Sequence, residues 1–486
     1  MTSSGRPDST LPLKSHHRVT VITALGLVCA AQFVLQLDFS VVNVALPTIQ
    51  RELGFAPAEL QWIVTGYALT FGSLLLLGGR VGDLLGRRRL LGLGLGVFAI
   101  ASLTCGLSIS APMLIGARLA QGAAAAFVSP SALALLAAGT PEGPTRNRAL
   151  SLFQAATAAG ASAGVVAGGI LVEFLGWRWI FLVNVPIVAV LLLLIQGAIP
   201  SDTTTGHPKL DVAGAALVTA SGAALIFGLS NGQENGFASI GTVLALATAA
   251  VLAALFVAVE RTASSPLLPF AYFRAPTHRA SIGAMALVGG VIVAYVYFVS
   301  LYLQHVLRFS PLLTGVALIP STATVVVVST LVTRRAVDRL GVKWLLLLGL
   351  SLIGAGQLWF AQLTPNGSYL VNVLPGQLLT ATGIALALPT AAIGATSGVA
   401  GAEQGLASGL LNSAQQMGAA VGLALLATAA AAWTVRTGSL SAGYALAYLL
   451  ATGIALIAAL WVASRLNHAV CQAELARRRA AEGATS

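Results

Sequence analysis

The chain has 486 residues, 57% of them hydrophobic and 8% charged, with 26 Lys+Arg against 15 Asp+Glu for a net charge of +11. Soluble chains carry roughly 25% charged residues, so this composition excludes a soluble enzyme, a disordered chain and a small disulfide-built domain. A bilayer core takes about 20 apolar residues per helix, and fourteen crossings, roughly 280 residues, fit comfortably in this length.

In chain order, apolar runs fall at about 19–47, 58–78, 90–110, 112–138, 149–172 and 177–199. A polar stretch, 200–210, interrupts them. Eight further runs follow at about 211–230, 239–259, 281–305, 312–333, 344–363, 370–396, 404–432 and 441–463. The first run passes Cys29 without an A-x-A site, and Val28 does not suit lipoprotein processing, so it reads as a retained span. The expected fold is an all-α polytopic membrane protein of fourteen spans.

Charge orients these spans. With the N-terminus inside, 21 of the 26 Lys and Arg fall on the cytoplasmic side, including Arg87, Arg88 and Arg89, Arg334 and Arg335, and the Arg477–Arg479 run. Outside lie Arg51, Arg178, Arg308 and Arg436, and Arg118 sits alone within a span. This is the positive-inside pattern, with both termini cytoplasmic, and not the basic stripe of a nucleic-acid binder. Cys29, Cys105 and Cys471 have no metal or redox spacing, so no metal site is expected.

The chain also repeats. Asp83-Leu-Leu-Gly86, followed by three Arg, has a counterpart 255 residues on in Asp338-Arg-Leu-Gly341. Gly160-x-x-x-Gly164 has one 258 residues on in Gly418-x-x-x-Gly422. Two six-span halves around an extra pair of spans explain both offsets, and internal repeats of this kind belong to secondary transporters. The expected organisation is a tail at 1–18, a bundle at 19–199, a linker with two extra helices at 200–280, a second bundle at 281–463 and a tail at 464–486.

Asp38 is the most informative residue, because a carboxylate near the bilayer middle costs about 2.5–3.5 kcal/mol on insertion scales and normally serves a purpose. It is either a proton carrier or a structural carboxylate bonded to a neighbouring helix. Arg118 cannot discard its charge and needs an acceptor, either to bias a carboxylate's titration or to staple two helices. The loop around Gly79, Gly82, Asp83, Gly86, Arg87 and Arg88 is a topogenic cluster by itself. Its second occurrence favours a conformational latch. Gly160, Gly164, Gly168 and Gly169 form a small-residue stripe for close helix contact.

Several matches to other motifs fail on context. Gly160-Ala-Ser-Ala-Gly164 fits G-x-S-x-G without a strand–turn–helix setting. Gly94-x-Gly96-x-x-Ala99 fits a dinucleotide loop without a preceding strand, and no P-loop is present. His305 reads as an interfacial residue, and Trp62, Tyr67, Trp177 and Trp179 as members of aromatic belts.

Together these residues resemble the fourteen-span drug:proton antiporters of the major facilitator superfamily, the EmrB/QacA type, over about 19–463. Leu37-Asp38, Val41-Val42-Asn43 and Ala45-Leu46-Pro47 match the first-span motif L-D-x-T-V-V-N-V-A-L-P, with Ser40 in place of Thr. Gln61-Trp62 and Tyr67 fit the second span. Gly79, Gly82-Asp83, Gly86 and Arg87-Arg88 fit the loop motif, with Leu84 where a basic residue is usual. Arg118, Gln121 and Gly122 fit the fourth span; Gly176-Trp-Arg-Trp-Ile-Phe181, Asn184 and Pro186 fit the sixth. The fifth-span motif G-x-x-x-G-P-x-x-G-G departs at Val165, which replaces the proline.

The resemblance implies a major facilitator fold and proton-driven efflux of amphipathic drugs or natural products by alternating access. It implies no enzyme activity and no cofactor beyond protons as coupling ion. Asp38 and Arg118 would couple protons, the Asp83 loop would steady one state, and Asn43, Trp62, Tyr67 and Gln121 would line a cavity. A monomer in the plasma membrane, surrounded by lipid and without nucleic-acid partners, is expected. The 23 Arg against 3 Lys suit a GC-rich bacterial source. A symporter of the same fold would carry a substrate-specific polar cluster. A membrane enzyme or receptor would need a larger extramembrane domain than the loop at about 260–280 provides.

Overall fold

The computed structural model describes residues 15–140, 144–198, 211–263, 266–267, 270–397 and 404–466. The expected tails, apart from their innermost residues, and the 200–210 linker stretch lie outside the described residues.

Among the described residues, fourteen helices are long and apolar enough to cross a membrane. They are α1 (Thr23–Leu53), α2 (Trp62–Gly82), α3 (Arg87–Gly106), α4 (Ala111–Gly139), α5 (Ala155–Phe174), α6 (Trp179–Gly197) and α7 (Val212–Gly232). Then follow α8 (Ile240–Thr262), α9 (Pro276–Val306), α10 (Pro311–Thr333), α11 (Arg339–Phe360), α12 (Tyr369–Thr396), α13 (Ala407–Thr437) and α14 (Leu440–Arg465). Hydrocarbon offers no partner for a free peptide group, so each apolar run closes its own hydrogen bonds as a helix. Pro47, Pro130 and Pro389 lie inside α1, α4 and α12, as spans packed among other helices tolerate.

The two halves pair their helices alike. In the first, α1 packs on α5 and α2 and α3 pack on α4; in the second, α9 packs on α13 and α10 and α11 pack on α12. The shared loop motif is also shared geometry. Gly86 turns the chain at φ +89 and Gly341 at φ +76, a backbone region that side-chain-bearing residues seldom adopt.

Glycines set how closely the helices approach. A Cβ on Gly160 would strike Phe33 O, and one on Gly164 would lie 2.6 Å from Leu37 O, so α5 rests directly on the backbone of α1. In the second half, Gly418 and Gly422 of α13 meet Ala286 and Gly290 of α9 in the same way. Val165 leaves α5 within one continuous helix, Pro144–Phe174, with no internal proline.

Three seams join the halves. Ser413 Oγ of α13 donates to Gly72 O of α2 at 2.7 Å. Gly169 of α5 faces Pro311, Leu312 and Gly315 of α10, and Gln304 Nε2 of α9 donates to Val44 O of α1 at 2.9 Å. The extra helix α7 covers the first seam: Thr219 Oγ1 donates to Ser73 Oγ at 2.8 Å, and Gly222 meets both Leu69 of α2 and Met417 of α13. Helix α8 packs on α7 and otherwise presents Ile240, Val243, Leu244, Val251 and Leu255 outward, a face suited to lipid.

Candidate functional site

The buried charge cluster lies inside the first half, where five helices contribute one wall each. Asp38 and Arg118 are both 0% exposed, and Arg118 Nη1 donates to Asp38 Oδ2 at 2.7 Å. The other carboxylate oxygen, Oδ1, accepts from Asn184 Nδ2 of α6 at 2.7 Å and from Gln121 Nε2 of α4 at 3.0 Å. Arg118 Nη1 also donates to Gln121 Oε1 at 2.9 Å, and its Nε donates to Ile63 O of α2 at 2.9 Å. Ser102 Oγ accepts from Gln121 Nε2 at 2.7 Å, and Cys105 Sγ donates to Gln121 Oε1 at 3.3 Å.

Local sequence explains why these groups converge. Arg118 and Gln121 are three apart on α4, so they share a helix face. Small neighbours open room for them: Gly122 lets α4 sit against the Tyr67 and Thr70 turn of α2. The Tyr67 ring lies under the guanidinium at 4.5 Å, and Phe181 flanks it at 5.7 Å. Among the described residues Arg118 Nη2 has no hydrogen-bond partner, and the guanidinium lies against the faces of these two rings.

An ion pair this dry is chemically poised. Removing two charges from water is expensive, and the pair persists only because ligands saturate the carboxylate. A proton arriving on Asp38 would cancel one charge and strand the other. Neutralisation therefore acts on both the pair and the helices that carry it.

Both expected coupling residues thus sit in one contact. Gln121 belongs to the same network and Tyr67 forms its wall, fully buried and not in an interfacial belt. Trp177 departs from the belt expectation as well. It is 1% exposed, and its Nε1 donates to Glu52 Oε2 at 2.8 Å, because the carboxylate gives a buried indole its acceptor. Asn43 is buried five residues beyond Asp38, its Nδ2 donating to Ser40 O at 3.3 Å, and Trp62 is half-buried against the core.

The loop motif lies at the opposite end of α2 from Trp62. Arg87 Nη1 donates to Ala134 O of α4 at 3.4 Å, and Arg88 Nη2 donates to Gln196 O of α6 at 2.5 Å. Gly79 faces Pro130 and Gly82 faces Ser131 of α4. The Asp83 side chain lies outside what the structure describes. The stripe glycines divide their work: Gly160, Gly164 and Gly168 face α1, whereas Gly169 faces α10 across the halves.

Asn184, Ser102 and Cys105 were not singled out as site residues by sequence. Asn184 had entered as a match to the sixth-span motif without a role, and an amide within an apolar run needs a partner when buried.

Comparison with known proteins agrees with this architecture. The model of the Major Facilitator Superfamily matches residues 28–423, and the chain belongs to that family. Its fourteen spans and its relatives agree with the drug:proton antiporter type within it. The chain is 39% identical to the cephamycin export protein CmcT of Amycolatopsis lactamdurans over 84% of this chain and 85% of that protein. It is 37% identical to the puromycin resistance protein pur8 of Streptomyces alboniger over 90% of each. Among solved structures, the POT family transporter PepTSo has a TM-score of 0.67 at 15% identity, covering 91% of this chain and 97% of that one, a likeness of fold.

Proposed function

We propose that this protein exports small amphipathic molecules from a bacterial cell in exchange for protons, by alternating access. The observation that carries the reading is the dry Asp38–Arg118 pair, held by three donors on the carboxylate, inside a chain whose relatives include export and resistance proteins. Asp38 takes up and releases the coupling proton, and Arg118 sets the cost of each state. Gln121 and Asn184 hold the carboxylate through the cycle. The bundles at 19–199 and 281–463 rock against each other, and α7, within the 200–280 segment, rides on their seam.

The Asp83 loop acts as a latch between states. Its neighbours support this role: Arg87 and Arg88 reach the ends of α4 and α6, so the loop ties the helices of one half into one body. Protons are the coupling ion, with no metal or organic cofactor and no catalytic reaction. The protein works as a monomer in the plasma membrane with both termini in the cytoplasm, and Asn43 and Trp62 line the drug path. The test is uptake of ethidium into vesicles under an imposed pH gradient. Accumulation that collapses with a protonophore supports exchange; uptake indifferent to the gradient overturns it.

A further inference from the structure

The second half has a position corresponding to the charge cluster, and the packing locates it residue by residue. Gly94 of α3 rests against Ala124 and Val128 of α4, and Gly349 of α11 rests against Gly383 and Ala387 of α12. Gly78 of α2 meets Ala126 O, and at the equivalent place Thr333 of α10 donates to Ala385 O at 2.9 Å. All of these contacts share one register, 255 residues between α3 and α11 and 259 between α4 and α12. The internal prolines, Pro130 and Pro389, fall on it too. For α1 and α9, the contacts of Gly160 with Phe33 and Gly418 with Ala286 give an offset of 253.

This register sets Gln377 in the place of Arg118, Thr380 in that of Gln121, Gln357 in that of Ser102 and Val291 in that of Asp38. A hydrogen bond is retained with its roles exchanged. In the first half Gln121 Nε2 donates to Ser102 Oγ at 2.7 Å; in the second, Gln357 Nε2 donates to Thr380 Oγ1 at 3.1 Å. Gln357, Gln377 and Thr380 are all 0% exposed. The charges have gone and the polar scaffold remains, with Phe360 filling the place of Cys105 and stacking on Tyr295 at 5.6 Å.

Among the described residues no other carboxylate takes its place: Asp38 alone of their Asp and Glu lies more than two residues inside a span, and the buried Glu260, two residues from the end of α8, accepts from Leu267 N at 3.2 Å. The span histidines, His278 and His305, each lie two residues or fewer from an end. Amides and hydroxyls do not exchange protons near neutral pH.

We infer that the second half carries a neutral counterpart of the charge site, so that one proton, on Asp38, is exchanged for each substrate molecule. The inference rests on the proposed proton-driven export. It assigns distinct duties to the halves: the first alone reads the proton gradient, and the second supplies an uncharged wall. One proton entering for one monovalent cation leaving moves no net charge, so such a substrate is driven by the pH gradient and not by the membrane potential.

Ethidium and tetraphenylphosphonium, both permanent monocations, are the probes, in proteoliposomes whose potential is clamped with potassium and valinomycin, after subtracting their passive distribution in protein-free liposomes at the same potential. The steady-state gradient should rise about tenfold per pH unit, whatever the clamped potential. A steeper rise, about a hundredfold per unit, or a gradient that moves with the potential, overturns the single-proton exchange. Gln377→Met should keep the same ratio even if expression falls; a changed ratio would reveal a second coupling group. If neither probe accumulates under any gradient, multidrug export itself fails, and the proton count is then read without substrate. Infrared spectroscopy should show one protonated-carboxyl band at the frequency of a water-shielded acid, absent in Asp38→Asn. A second such band surviving that substitution overturns the inference.

Discussion

Asp38→Asn tests the charge cluster most directly, and the structure sets the size of its effect. The amide keeps one oxygen, which can still accept from Asn184 and Gln121, at present 2.7 and 3.0 Å away. Its new NH2 then faces Arg118 Nη1, now 2.7 Å from Oδ2, donor against donor. Arg118 is left charged, with Gln121 Oε1 and Ile63 O as its acceptors and, among the described residues, no other ion-pair partner. Breaking one side of a buried pair costs about 3–5 kcal/mol, or roughly 10²–10⁴ in the unfolding equilibrium. Unfolding in mixed detergent–SDS micelles should therefore show a markedly weaker protein, while vesicles lose uphill export and keep some binding or downhill exchange. Adding Arg118→Met removes the stranded cation and should restore most of the stability without restoring coupling. An Asp38→Asn protein as stable as the parent would mean that the pair is not ionised in this state. Undiminished uphill transport would remove Asp38 from the mechanism.

Arg118→Lys keeps a charge but loses the fork that reaches Asp38, Gln121 and Ile63 O together, so it should impair coupled transport less than Arg118→Ala; the reverse order refutes the role of charge. Gly164→Ala drives a methyl into Ser40 Oγ and to 2.6 Å from Leu37 O, so it should cost about 1–3 kcal/mol of stability in the same unfolding assay; a neutral result would mean that α1 and α5 part easily. Asp83→Asn should leave the protein inserted but slow transport, and a normal rate removes the latch. Cysteine tags at Ser3 and Ser486 should both be shielded from an impermeant thiol reagent in intact cells, and labelling of either sinks the proposed topology.

The helices were legible because an apolar run in lipid has few alternatives to the helix. All fourteen are present, with ends displaced by a few residues. The first extends through Pro47 to Leu53, beyond the expected end, since a proline inside a packed span does not stop it. The π-turns at Tyr302–Val306, Ser329–Thr333 and Tyr369–Val373 left no pattern to find. Asp38 and Arg118 stood out because a charge in an apolar run is conspicuous alone. Gln121 and Asn184 matched span motifs, but that they hold the carboxylate did not show, because only helix packing brings Asn184 2.7 Å from a residue 146 positions earlier. The glycine stripe was visible as spacing, whereas its division between α1 and α10 depends on which helix lies across from each glycine.

Helices α7 and α8 enter as a pair, and their number matters more than their contacts. A single inserted crossing would invert every helix that follows, setting the second half antiparallel to the first. Two crossings return the chain to the side it left, so Gly341 turns at the same face of the sheet of lipid as Gly86. Parity thus constrains what an insertion at this junction can be: hairpins of spans can be gained or lost there, single spans cannot. The outward apolar flank of α8, a helix that packs on α7, then lies apart from the charge cluster.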